Sequence, residues 1–235
     1  MNIEVLADAD AVARRAAVFI AGAARTAVGA RGRFVFAVSG GRTPWVMLRA
    51  LAREDVPWPA VEIVQVDERA APEGHPDRNL THLRESLLEQ APLAPGQIHA
   101  MPVEAEDLHA AARAYGDTLR RLIGPSGRLD LVHLGLGPDG HTASLIPGSP
   151  ALEVSDAPVA VTDVYQGRRR MTLTFPVLDK ARQVLWVVTG EDKREMLPRL
   201  RDGDAAIPAG RVASHAAVVL TDRAAAGPGV SGRDM

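Results

Sequence analysis

An α/β fold on a mostly parallel sheet, with helices on both faces, is predicted by three features of this 235-residue chain. Apolar runs of strand length at 34–38, 61–66, 129–134 and 184–189 lack the polar alternation of a half-exposed strand, so each calls for cover on both sides. Between them, apolar residues recur at steps of three and four, the spacing of a core-facing helix. The runs end in glycine-rich or charged loops, and in such sheets ligands bind beyond the carboxyl ends of the strands.

From Asp8, an N-cap by residue type, Val12, Ala16, Phe19, Ile20 and Ala23 predict a first core helix that Gly29 and Gly32 break. Strand 34–38 runs into Ser39-Gly40-Gly41-Arg42-Thr43-Pro44, where Thr43 is expected to cap, and Pro44 to open, a helix continued by Val46, Leu48 and Leu51. Strand 61–66 leads into a polar loop at 67–76 and a helix around Leu80, Leu83, Leu87 and Leu88. The stripe Leu108, Ala111, Tyr115, Leu119 and Leu122 marks a long amphipathic helix, and strand 129–134 ends at Gly135. Beyond Pro150 the pattern gives short strands at 159–162 and 171–175, a firm one at 184–189, a helix at 191–200 and a last strand at 218–220. Residues 1–226 are expected to form a single α/β domain and residues 227–235 a mobile tail.

The formal net charge of −2 and pI near 6.4 give no general attraction to nucleic acid or an anionic membrane, so any basic site must be local. With no cysteine, thiolate nucleophiles and disulfides are excluded. No apolar run reaches the roughly 18 residues of a membrane helix, and the N-terminus carries acid instead of a basic leader. A cytoplasmic protein, monomeric or a small homo-oligomer, is the expectation.

Three loops carry the chemistry. In Ser39–Pro44 two glycines let the backbone turn while a helix start, Ser39, Arg42 and Thr43 offer donors to phosphate oxygens; a plain strand-to-helix turn is the alternative, and a nucleotide P-loop lacks its glycine-lysine pair. In Asp67-Glu68-Arg69 two acids and a base leave a strand end together, suited to a polyol, a phosphate or one another. The third loop, Gly135-Leu136-Gly137-Pro138-Asp139-Gly140-His141, spells Gly-x-Gly-x-x-Gly with a histidine directly after it. A dinucleotide site is one reading, with Glu153 or Asp156 for a ribose, although Asp139 would oppose a pyrophosphate and the motif falls in the third strand unit. The other makes His141 a general base oriented by Asp139, with a following helix start offering donors to an oxyanion.

Lys193, one of only two lysines, follows the strand at 184–189 and could reach a phosphate. The run Arg168-Arg169-Arg170 reads as a solvated cluster or a lid over an anion. His133 is expected to pack within its strand, and no histidine-carboxylate spacing points to a metal.

Taken together, Ser39–Pro44, Asp67-Glu68-Arg69 and 135–144 resemble, in order and spacing, the 6-phosphogluconolactonases of the glucosamine-6-phosphate isomerase/6-phosphogluconolactonase family. Asn79, Arg170-Met171-Thr172-Leu173-Thr174, Gly190 with Lys193, Pro208-Ala209, Asp222 and Ala224-Ala225 extend the likeness over nearly the whole chain. The resemblance implies a modified Rossmann-like sheet, no cofactor, and hydrolysis of 6-phospho-D-glucono-1,5-lactone to 6-phospho-D-gluconate in the oxidative pentose phosphate pathway. It gives His141 the activation of water, and Arg69 and Lys193 the substrate phosphate, helped by Ser39, Gly40, Gly41, Arg42 and Thr43, by Asp67 and by Arg170. Arg78 stands where the family commonly has serine, and Arg168 and Arg169 where prolines are common. The deaminase branch is disfavoured because Ile146 replaces its carboxylate beyond the histidine and Arg69 its tyrosine. A non-catalytic sugar-phosphate-binding protein is the reading from another class, set aside because the chain enters its first core helix almost at once.

Overall fold

The structure is a computed structural model that describes residues 1–213 and 215–227. The chain runs β1 (Asn2–Leu6), α1 (Ala9–Arg31), β2 (Phe34–Val38), α2 (Arg42–Leu51), β3 (Val61–Gln65), β4 (Asp67–Arg69), α3 (Asn79–Leu83), β5 (Ile98–His99), α4 (Leu108–Ile123) and β6 (Leu131–Leu134). It continues through β7 (Val159–Val161), β8 (Arg170–Leu173), α5 (Phe175–Leu178), β9 (Val184–Val188), α6 (Met196–Arg201), α7 (Pro208–Arg211), β10 (Ala217–Asp222) and α8 (Arg223–Ala226).

Seven strands form one parallel sheet in the order β1-β10-β9-β6-β2-β3-β5. The buried strands lack alternation because alternate side chains enter two cores: Phe34, Phe36, Ile63 and Leu185 meet α1 and α2, while Val35, Ala37, Val132 and Trp186 meet α4 and the second sheet. The chain winds outward from β2 through β3 to β5, then returns to lay down β6, β9 and β10 on the other side. The carboxyl ends of β2 and β6 therefore flank the switch point where open α/β sheets bind ligands.

The expected α/β, mostly parallel architecture is present, with several local differences. Asp8 caps α1 through the Ala11 N–H at 2.8 Å, and the helix runs through Gly29 to stop at Gly32, whose φ of 75° suits a left-handed cap. A strand, β1, precedes that helix; its residues alternate in type and it lies at the sheet edge, so its signal is faint. Residues 67–69, read as loop, form β4, which pairs antiparallel with β8, and β8 with β7, in a separate three-stranded sheet. The stretch 191–200 divides into a 3₁₀ turn at Glu191–Lys193 and the short α6. Of the tail expected to be mobile, residues 228–235 lie outside the described residues.

Candidate active site

A cleft of about 590 Å³ opens at the carboxyl ends of the strands. Ser39, Gly40, Gly41, Arg42, Thr43, Asp67, Arg69, His141, Arg170 and Lys193 all line it, so residues from five separate chain segments meet in one place. Asp139 stands behind the lining, bonded to His141.

On the wall built by the second sheet, Arg69 and Arg170 are direct cross-strand partners. Like charges directly opposite on an antiparallel pair repel. Arg170 is only 5% exposed, and burial first, then the neighbouring Arg69, lowers its proton affinity. Arg69 donates through Nη1 to the Asp77 carbonyl at 2.9 Å and more weakly to Asn79, and Arg170 donates through Nη2 to Gln166 at 3.0 Å. The Nε of each is buried with no partner. Asp67, the nearby acid, is occupied: its Oδ2 accepts from the Ser144 hydroxyl at 2.6 Å and its Oδ1 from Asn79 at 3.4 Å.

Glu68 has a different part from its two neighbours. It is fully buried, and its carboxylate accepts from the N–H groups of Arg69, Asn79 and Leu80 and from the Gln65 amide, each at 2.8 Å. It pins the start of α3 against β4, and Arg78, 3.3 Å away and itself buried, balances its charge. The arginine at that unusual position thus serves the scaffold.

The floor of the cleft is the turn after β2. Gly41 adopts φ 134°, a conformation open to glycine, and α2 starts at once with Arg42. The expectation that Thr43 caps this helix and Pro44 opens it is corrected: Gly41 is the cap residue without a side-chain bond, and Thr43 instead shares a 2.7 Å hydroxyl contact with Thr189 after β9. The Ser39 N–H donates to Nδ1 of His133 at 3.3 Å, while the Ser39 hydroxyl is buried without a partner. His133 is fully buried, and burial pushes its imidazole down to about 3, so it is neutral and acts as an acceptor under the turn. It packs in its strand as expected, but its contact with Ser39 was missed, because no sequence spacing links residues 94 apart.

In the loop after β6, Nδ1 of His141 lies 2.5 Å from Oδ1 of Asp139, and the His141 N–H reaches the same oxygen at 3.1 Å. Burial pushes the Asp139 carboxyl up, but the His141 N–H and imidazole outweigh it and hold it below the usual carboxylate range. Facing an ionised acceptor, Nδ1 carries the hydrogen, which leaves the Nε2 lone pair free. Gly137 makes room for this fold: a Cβ there would stand 2.2 Å from the His141 ring. Ala143, lining the cleft two residues on, holds a strained φ of 53°.

One expectation fails here. No helix start follows His141; Thr142 and Leu145 form an isolated bridge, and the next helical turn begins at Pro150. The helix-dipole donors expected for an oxyanion are absent, and so is the glycine-to-helix junction that a dinucleotide site requires.

Lys193 also lines the cleft, paired with Asp192 at 2.7 Å. Asp222 holds the turn beneath it, accepting from the Gly190 N–H at 3.1 Å and capping α8 through Ala225. Among the described residues no three histidine or acidic side chains group to hold a metal ion, and no helix is long and apolar enough to cross a membrane.

Comparison with known proteins adds to this geometry. A family model described as glucosamine-6-phosphate isomerases/6-phosphogluconolactonase matches residues 7–221. A 6-phosphogluconolactonase of Synechocystis is 36% identical over 200 residues, covering 83% of each chain. One of Mycobacterium tuberculosis is 34% identical over 239 residues, covering 96% of this chain and 97% of the relative. Among solved structures, a 6-phosphogluconolactonase of Thermotoga maritima superposes with a TM-score of 0.84 at 25% identity, covering 94% of this chain and 98% of its own. A monomeric glucosamine-6-phosphate deaminase, 20% identical, shares the fold with a TM-score of 0.83 over 96% of this chain and 99% of its own.

Proposed function

The chain belongs to the glucosamine-6-phosphate isomerase/6-phosphogluconolactonase family, and we propose that it hydrolyses 6-phospho-D-glucono-1,5-lactone to 6-phospho-D-gluconate in the oxidative pentose phosphate pathway. The observation that carries this reading is the pair Arg69 and Arg170, juxtaposed with unsatisfied Nε groups in the same cleft as His141. Two partly buried cations face to face are an unfavourable arrangement that a phosphate dianion relieves, with the Ser39 hydroxyl, Arg42 and Lys193 adding donors.

With the phosphate held there, the lactone carbonyl comes to His141. Nε2 of His141 takes a proton from water as the water oxygen bonds to C1, and the carbonyl electrons move to the exocyclic oxygen. The tetrahedral intermediate collapses, the C1 to ring-oxygen bond breaks, and the ring oxygen leaves with the proton that His141 returns. The new carboxyl group then ionises to solvent. Asp139 fixes the tautomer and balances the imidazolium between the two transfers. Binding at the remote phosphate is spent on orientation at C1. Residues 1–226 act as one domain in this reading, in the cytoplasm and without a cofactor.

His141→Ala tests the assignment. The expected result is a fall in lactone hydrolysis of about 10²–10⁴, with 6-phosphogluconate binding, measured calorimetrically, kept within a few-fold. Equal activity in parent and variant removes His141 from the mechanism, and turnover of glucosamine 6-phosphate by the parent would move the chain to the other branch of its family.

A further inference from the structure

We propose that Tyr165, in the hairpin between β7 and β8, is a positioning residue that fixes the His141 imidazole and the Arg170 guanidinium relative to each other; this rests on the reading of His141 as the general base. The His141 and Tyr165 ring centroids lie 6.2 Å apart at 69°, an edge-on contact. On the same tyrosine, the Arg170 guanidinium carbon sits 4.9 Å from the ring centroid. One aromatic ring therefore touches both a proton-transfer group and a phosphate-binding cation.

His141 needs such a contact. The only hydrogen bond of its imidazole among the described residues is to Asp139, two positions away in the same loop, and a ring held at one atom still swings about that bond. Edge-on aromatic contact supplies a second point and so a defined plane. For Arg170, an aromatic face is a partner that attracts the cation without consuming its hydrogen-bond donors, which leaves Nε for the phosphate.

The hairpin is built to hold that ring still. Tyr165 and Arg168 exchange both backbone hydrogen bonds, at 2.9 and 3.2 Å, around Gln166 and Gly167 at φ 51° and 79°, a tight turn with two left-handed residues. Gln166 accepts this uncommon conformation and in return meets Arg170 Nη2 at 3.0 Å. Arg168 fastens the turn to the neighbouring loop, bonding Asp77 at 2.9 Å and His75 at 3.1 Å, and the Asp77 carbonyl in turn receives Arg69. The arginine run is therefore partly a clasp, and Tyr165 is what the clasp presents to the cleft. No hydrogen bond engages the tyrosine hydroxyl among the described residues, so the ring and not the phenol carries the role.

Tyr165→Phe and Tyr165→Ala, compared with the parent, test this. The alanine variant should lose about ten- to a hundredfold in kcat, the scale of a small misplacement, and its KM should rise about two- to fivefold, the worth of one cation-π contact. The phenylalanine variant should match the parent within twofold in both. In proton NMR, the His141 Hε1 resonance, assigned by its disappearance in His141→Ala, should move in Tyr165→Ala and stay in Tyr165→Phe. An unmoved resonance in Tyr165→Ala, or a phenylalanine variant as impaired as alanine, overturns the proposal. Should His141→Ala retain activity, the general-base reading falls by itself, and the resonance alone decides whether Tyr165 holds the ring.

Discussion

Arginines gather at both ends of the central sheet, and the two gatherings have different partners. At the amino ends, Arg31 and Arg182 converge on the buried Asp130, at 2.8 and 3.4 Å, while its other oxygen accepts the Val35 N–H. At the carboxyl ends, Arg69 and Arg170 face each other, and the acid between the sheets, Asp67, is already taken by Ser144 and Asn79. In the first cluster Asp130 supplies the opposing charge and ties α1 to the strand ends, although Arg182 Nε is left without a hydrogen bond. In the second, no acid among the described residues forms an ion pair with either arginine, and in the proposed function the substrate phosphate supplies that charge.

Arg170→Met is the sharpest way to break this contrast. Losing charge-assisted hydrogen bonds should raise KM for the lactone roughly 10–100-fold, while the urea midpoint stays level or rises as the repulsion with Arg69 disappears. An unchanged KM would make the carboxyl-end pair as structural as the other.

The next effect concerns His133, under the floor of the same cleft. Its folded value near 3 lies below the ordinary 6.5, so below about pH 6.5 the unfolded chain binds a proton that the folded chain refuses. The stability it contributes is full above pH 6.5 and is lost as pH falls toward 3, at up to about 1.4 kcal/mol per pH unit. His133→Leu should flatten this part of the pH dependence in urea titrations; an unaltered slope would place the acid sensitivity elsewhere.

Asp130→Ala should cost about 1–3 kcal/mol in urea denaturation, by stripping the Val35 N–H and Arg31 of their acceptor and Arg182 of its counter-charge, with kcat and KM unchanged. Smallest is Asp8→Ala, which removes the α1 cap for about 1 kcal/mol and, being remote from both clusters, calibrates the others.

Much of this was legible in the residues. Two-faced burial wrote itself into strands β2, β3, β6 and β9 as unbroken apolar runs, and the 3.6-residue period marked α1 and α4. The loop residues could be listed because glycine, proline and charge cluster at strand ends. What stayed hidden depends on distant pairing. β4 has three charged residues and no strand signature; only β8, about a hundred residues later, makes it a strand and places Arg69 opposite Arg170. Tyr165 gave no signal, since nothing in its local sequence says that a hairpin will lay it against His141. The helix expected after the glycine loop reflects a motif borrowed from dinucleotide sites, and here Gly137 serves close packing of the histidine ring instead.

Val66 belongs to no strand, yet its N–H bonds the Val38 carbonyl at 3.0 Å and its own carbonyl accepts from Leu173 at 2.8 Å. One residue thus splices the small sheet to the large one without slack. The backbones that carry Arg170 and His141 are accordingly held at a set spacing, on which Tyr165 fixes the two side chains, so the cleft measures its guest like a fixed gauge. A phosphorylated lactone one carbon shorter would meet one end of that gauge or the other, but not both together.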